Sequence, residues 1–154
     1  MSVQKKVNII MSTYNGEHFL VEQLDSLCNQ TYENIDIYIR DDGSTDNIAE
    51  TMKLYKQNLT EENKTKLKYF EKPENSGLAD TRNYGVNKAL GEYIIFVDSD
   101  DYLEVSACEE LLKLLTEHPV DVLHFGTVLH ANENVSDDLK NWVTNFLTPY
   151  EGEL

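Results

Sequence analysis

The stretch YIIFVDSDDYLE, residues 93–104, carries an apolar, β-prone run, Tyr93 to Val97, straight into three aspartates within four positions, Asp98, Asp100 and Asp101. Carboxylates repel one another, and each loses hydration where a strand delivers it to a partly buried edge. A chain of formal net charge −15 gains nothing from crowding acids there unless something positive joins them.

Working outward, SGLADTRNYGVNKALG (76–91) reads as a helix that opens near Ser76 and stops with Gly91 at the C′ position. Residues 104–117 read as another, with Ala107, Leu111, Leu114 and Leu115 on one side. VDVLHFG (120–126) follows as a strand. Upstream, KVNIIM (6–11) is a short buried strand closed by the turn-like STYNG. Leu20, Leu24, Leu27 and Cys28 recur at helical spacing over 17–30. NIDIYIRDDGSTD (34–46) alternates Ile35, Ile37 and Ile39 on one strand face, then makes an acidic glycine turn where Ser44 or Thr45 would cap the next helix. KLKYFEK (66–72) is a third, weaker strand.

Strand and helix alternate throughout, which predicts an α/β fold: a mostly parallel central sheet with helices on both faces. Ligands bind such sheets at the carboxyl ends of the strands. Three polar clusters fall at those ends: Ser12 to Asn15, Asp41 to Asp46, and Asp98 to Asp101.

At 154 residues, 40% hydrophobic and 27% charged, the chain has the length and composition of one globular domain. A sequence pI near 4.5 excludes nucleic acid as a partner, since phosphate backbones need clustered Lys and Arg. It equally opposes electrostatic docking on an anionic membrane surface. Cys28 and Cys108 share no metal or redox spacing and read as buried free thiols in a reducing compartment. No apolar run is long enough to span a bilayer, and MSVQKKVNIIM is not a signal peptide, so a soluble, cytoplasmic protein is expected. His18, His118, His124 and His130 match no motif.

Asp98 and Asp100, two apart on a strand or its extension, share a face roughly 6.5 Å apart along the chain. All-oxygen donors suit Mg²⁺ or Mn²⁺ rather than zinc. Mg²⁺ completes its shell with waters and substrate phosphates, so a metal held by few aspartates implies a phosphate-bearing ligand. A lone Asp-x-Asp also fits a solvated acidic loop. Asp101 reads as an acid near the start of the next helix.

The ordered set VNIIMSTYNGEHFLVEQLDSLCNQTYENIDIYIRDDGSTDNIAE and ENSGLADTRNYGVNKALGEYIIFVDSDDYLE resembles family 2 glycosyltransferases of the GT-A fold, over about residues 6–116. The resemblance implies a Rossmann-like GT-A sandwich and a nucleotide-sugar donor, with a UDP-sugar favoured. It places Ser12, Thr13 and Tyr14, after the first strand, against base and ribose. Asp42, ending the second strand, would accept a hydrogen bond from the base, and Arg82 would lie near base or diphosphate. Asp98 would contact ribose or metal, and Asp100 would coordinate the Mn²⁺ or Mg²⁺ that bridges the phosphates. It further implies transfer to a saccharide or lipid-linked acceptor, with inversion, in bacterial-type surface polysaccharide synthesis.

Residues 1–125 then form the nucleotide-sugar core, and 126–154 begin an acceptor-side region. Leu139, Trp142, Val143, Phe146 and Leu147 form an amphipathic pattern near 137–147. Asp137, Asp138 and Glu151 stand in no recognisable context for a catalytic base. The chain therefore reads as the N-terminal part of a longer enzyme, whose remainder would provide any peripheral membrane association. Two other readings are a donor-binding module without transfer activity and an aspartate-based phosphatase. The second wants its motif on the first strand, with Thr or Val where Tyr102 stands.

Overall fold

The computed structural model describes residues 4–123. A compact unit ends at Leu114, and the described residues beyond it belong to a second unit. Four strands, β1 (Val7–Thr13), β2 (Ile35–Asp41), β3 (Leu67–Glu71) and β4 (Tyr93–Asp98), pair in the order β3-β2-β1-β4. All three pairings are parallel. The helices are α1 (Glu17–Cys28), α2 (Ile48–Asn58), α3 (Glu61–Lys66), α4 (Leu78–Lys88) and α5 (Ala107–Glu117).

Period-two alternation assigns the faces. Val7, Ile9 and Met11 of β1 join Ile35, Ile37, Ile39, Ile95 and Val97 in one core with Leu20, Leu24 and Leu27 of α1 and Ile48 and Met52 of α2. The other face of β1 meets α4. A Cβ built on Gly85 would lie 2.4 Å from Ile10 Cγ2, so glycine lets this helix approach the sheet. β1 is buried at every residue, as parallel strands covered on both faces are. β4, at the edge of the described sheet, alternates: Ile95 and Val97 are buried while Ile94 and Phe96 are exposed.

Several boundaries depart from the sequence reading. α3 was not anticipated, because EENKTK has no apolar period; Thr60 caps it by accepting from the Asn63 amide at 3.2 Å. Neither Ser44 nor Thr45 caps α2. Both are drawn to the β1 loop, and Asp46 Oδ1 accepts the Ile48 amide instead. α4 starts at Leu78 after Gly77 and ends with Ala89 as its C-cap. Gly91 is therefore not its C′ residue; a Cβ there would lie 2.5 Å from the Lys6 carbonyl oxygen. α5 begins at Ala107 with Glu109 and Glu110 in its first turn, so Asp101 is too far upstream to serve that helix end. Leu114 is exposed. Residues 120–123 are not strand, and the rest of that expected strand, His124, His130 and the pattern over 137–147 lie outside the described residues.

Cys28 and Cys108 are free, the first half-buried and the second buried. Burial raises both thiols, Cys108 to about 11, which leaves them unreactive. Among the described residues no helix is long and apolar enough to cross a membrane.

Candidate functional site

Three polar segments leave the carboxyl ends of β1, β2 and β4. The strand order reverses direction between β1 and β4, and in open α/β sheets that crevice is where ligands bind. Ser12 and Thr13 are the last two residues of β1 rather than part of the loop after it. Ser12 pairs in register with Asp98 on one side and Arg40 on the other, while Thr13 pairs with Asp41. The Ser12 and Thr13 hydroxyls are buried with no protein partner, so they retain hydrogen-bonding capacity at the strand end. Tyr14 is half exposed at the mouth.

The β1 and β2 loops are laced together. Asn15, held at φ 51°, donates its amide to Ser44 Oγ at 2.9 Å and accepts the Thr45 amide on Oδ1 at 2.8 Å. The Glu17 amide donates to Asp46 Oδ2 at 3.0 Å, and Glu17 Oε2 accepts the Asn47 amide at 3.2 Å. Asp41 Oδ1 accepts the Ser44 amide at 3.0 Å while Oδ2 accepts the Tyr69 hydroxyl at 3.0 Å. The Asn15 and Glu17 bonds close one loop onto the other, while Asp41 ties the β2 loop to its own strand end and to β3.

Asp42 lies one residue past the end of β2 and is buried. Its Oδ1 accepts the Ser76 amide at 2.9 Å and its Oδ2 the Gly77 amide at 2.8 Å. Burial pushes this carboxyl's pKa up, but the two amides, the Ser76 hydroxyl and Lys72 outweigh it, and the net shift is downward. Gly43, at φ +75°, brings the backbone so near Glu74 that a Cβ would lie 2.7 Å from its carbonyl carbon. Asp42 thus braces the segment that leads into α4. Lys72 joins this brace by donating to Asp80 Oδ2 at 2.7 Å and to Ser76 Oγ.

β4 ends at Asp98, and Ser99 and Asp100 form a turn closed by the Asp101 amide donating to the Asp98 carbonyl at 3.2 Å. The strand extension expected to carry both acids on one face is absent, and the turn itself sets their spacing. Arg82 of α4 donates from Nη2 to Asp98 Oδ1 at 2.6 Å, with its guanidinium 5.5 Å from the Phe96 ring centre. Asp100 is exposed. Asp101 is held above the usual carboxylate range, first by burial and then by the charges of Asp100 and Asp98. Three acids therefore share this turn, and Arg82 is bonded to the first of them, Asp98.

Among the described residues no three His, Cys, Asp or Glu side chains form a metal-binding group. The donor set fits a hard cation that takes a carboxylate or two from the turn and the rest of its shell from water and a phosphate ligand. Spacing alone had brought Asp98, Asp100 and Asp101 together. The structure adds Arg82 to that group, places Ser12 beside Asp98, and sets Asp42 apart as a brace.

Residues 8–152 match the sequence profile of the family described as Glycosyl transferase family 2. The chain is 40% identical over 134 residues to glycosyltransferase GlyA of Streptococcus pneumoniae serotype 4, covering 87% of this chain and 18% of that protein. It is 34% identical over 121 residues to the poly(ribitol-phosphate) beta-N-acetylglucosaminyltransferase TarS of Staphylococcus aureus, covering 77% of this chain and 20% of TarS. An uncharacterized glycosyltransferase of Haemophilus influenzae is 37% identical over 118 residues, 77% of this chain and 45% of that protein. The chain thus spans less than half the length of each of these curated relatives.

Among solved structures, S. aureus TarS 1–349 in complex with UDP-GlcNAc superposes with a TM-score of 0.64 at 32% identity, over 73% of this chain and 32% of that one. The mannosyltransferase PcManGT of Pyrobaculum calidifontis, solved with GDP-Man and Mn²⁺, shares the fold with a TM-score of 0.68 at 24% identity, over 77% of this chain and 34% of that one. The parallel sheet, the acidic turn at its reversal point and these matches agree: the chain belongs to glycosyl transferase family 2 and has the GT-A fold.

Proposed function

We propose that this chain binds a nucleotide-diphosphate sugar, with a UDP-sugar favoured, as the donor part of a metal-dependent glycosyltransferase. The observation that carries this reading is the grouping of Arg82, Asp98 and Asp100 beside Ser12 at the sheet's reversal point. TarS, a relative at 34% identity, has been solved in complex with UDP and with UDP-GlcNAc, which supports uracil as the base. Asp98 and Asp100 are the residues that would hold Mn²⁺ or Mg²⁺. Such a cation supplies positive charge against a departing nucleoside diphosphate.

The residues of the chain do the remaining work of binding and orientation. Ser12 and Thr13 offer unpaired hydroxyls, and Tyr14 an exposed ring at the mouth. Arg82 adds a planar cation suited to phosphate. Asp42 holds the Ser76 amide and hydroxyl on Oδ1 and the Gly77 amide on Oδ2, which keeps one acceptor site for the base. Transfer to a saccharide or lipid-linked acceptor with inversion, in surface polysaccharide synthesis at the cytoplasmic side of the membrane, completes the proposal.

A second reading is donor binding without transfer. Asp137, Asp138 and Glu151 lie outside the described residues. A thermal-shift screen of UDP, GDP, CDP and ADP with Mn²⁺ tests the donor reading, because ligands of the native state raise its apparent stability. UDP should give the largest shift; no shift with any of the four would overturn the reading.

A further inference from the structure

Gln23 sits on the apolar side of α1 among Leu20, Leu24 and Leu27, with none of its surface exposed. An amide there is costly unless it is bonded. Its Nε2 donates to the carbonyl oxygens of both Asp98 and Asp101, the latter at 2.8 Å. These carbonyls bracket the acidic turn, and one NH₂ group has two hydrogens, so both are used. Two carbonyl partners also fix which end of the amide is nitrogen.

Gln23 does not act alone on this segment. Ser26 Oγ accepts the Leu103 amide at 3.3 Å. Gln30 donates to the Glu104 carbonyl at 2.8 Å and accepts the Cys108 amide at 3.1 Å. Gln23 and Ser26 lie three residues apart on α1 and Gln30 two residues past its end, and the three grip the backbone from 98 to 108 in order. Of these three, Gln23 is the one bonded to the turn that bears the acids.

We infer that Gln23 is a positioning residue, a buried clamp that holds Asp98 and Asp100 at the spacing a divalent cation and diphosphate require. The inference rests on the donor-site reading above. The turn carries three mutually repelling carboxylates and is closed within its own backbone by one 3.2 Å bond from the Asp101 amide to the Asp98 carbonyl. Without a cation, repulsion favours opening. Gln23 opposes it through carbonyls and itself occupies no carboxylate oxygen of the turn. A clamp of this kind makes the site ready before the cation arrives, which is where preorganisation strengthens binding.

The test compares Gln23→Met, which fills the space without donors, and Gln23→Asn, whose amide is one methylene short. Leu27→Val, on the same buried side of α1 but away from the turn, controls for loss of stability alone. Hydrogen exchange at the Asp101 amide in the metal-free protein reads the clamp, and UDP affinity with Mn²⁺ divided by affinity with EDTA reads the cation site. In Gln23→Met, Asp101 exchange should rise at least tenfold and the Mn²⁺/EDTA ratio should fall at least tenfold, with UDP affinity in EDTA unchanged. Gln23→Asn should fall between, and Leu27→Val should leave both readouts at wild-type values.

Wild-type exchange at Asp101 in both Gln23 variants would overturn the clamp, as would an equal response in Leu27→Val. A wild-type protein whose UDP affinity ignores Mn²⁺ would instead overturn the metal part of the proposed function; the exchange arm would still decide whether Gln23 holds the turn.

Discussion

Arg82 Nη2 lies 2.6 Å from Asp98 Oδ1, joining α4 to the last residue of β4, the edge strand of the described sheet. The pair is solvent-accessible, so its worth to folding is small. Its significance is chemical. It puts the cation bonded to the acidic turn where a diphosphate bound to that turn would arrive.

Removing that cation should therefore weaken donor binding more than folding. Arg82→Ala is expected to reduce UDP affinity in Mn²⁺ by about tenfold to a hundredfold, since a hydrogen bond to a charged group contributes about 1.5–3 kcal/mol. The melting temperature should move little. Calorimetry alongside thermal denaturation checks both, and unchanged affinity would remove Arg82 from the site.

Asp42→Asn should act through the loop it holds. The carboxylate accepts two amides, one on each oxygen, whereas an Asn offers one acceptor oxygen and turns N–H donors toward the other amide. Faster hydrogen exchange at Ser76 and Gly77 and weaker UDP binding are expected, with the circular dichroism spectrum retained. Wild-type exchange at both amides would show that the brace is dispensable.

Gly85→Ala reverses the usual sign for a helix interior. Alanine normally favours helix by about 1 kcal/mol over glycine, but here its Cβ would fall 2.4 Å from Ile10 Cγ2. Overpacking of this kind costs about 1–3 kcal/mol. Chemical denaturation should show net destabilisation, and Ile10→Ala in the same chain should offset part of it. A stabilised Gly85→Ala protein would mean that α4 sits farther from the sheet.

Asp36 governs part of the acid limb of stability. Burial raises its pKa, but Lys68 Nζ at 2.9 Å and Lys6 Nζ at 3.0 Å more than offset this, and the net shift is downward. A carboxyl lowered in the folded state contributes stability that is present above its unfolded pKa, near 3.8, and is lost as pH falls through the folded value. Asp36→Asn should be less stable at pH 7 and lose less on acidification below 3.8 than wild type. Parallel denaturation curves for the two proteins across that range would contradict the assignment.

The sheet was legible because its strands advertise themselves. The Ile35, Ile37, Ile39 alternation and the runs Val7–Met11 and Tyr93–Val97 have no other stable use at that length. The acids at Asp98, Asp100 and Asp101 were legible for the same reason, since they stand at the end of the most apolar strand. What stayed hidden depends on contacts far apart in sequence. Nothing near Asp42 announces Ser76 as its partner, and a glutamine at position 23 looks like an interruption of a leucine stripe until the turn at 98–101 is folded above it. Gly91 read as a helix stop because glycine favours that role, whereas here it admits the Lys6 carbonyl. The short polar α3 had only the Thr60 cap to signal it.

In the proposed function the acids at 98 and 100 bind a cation which in turn holds a nucleoside diphosphate. Isothermal calorimetry of UDP with this chain, in Mn²⁺ and then in EDTA, tests it most directly. The account predicts markedly tighter binding in Mn²⁺, and loss of that difference in Asp100→Asn, whose amide removes one anionic ligand. Equal affinity in Mn²⁺ and EDTA, or a difference that survives Asp100→Asn and Asp98→Asn alike, would contradict it.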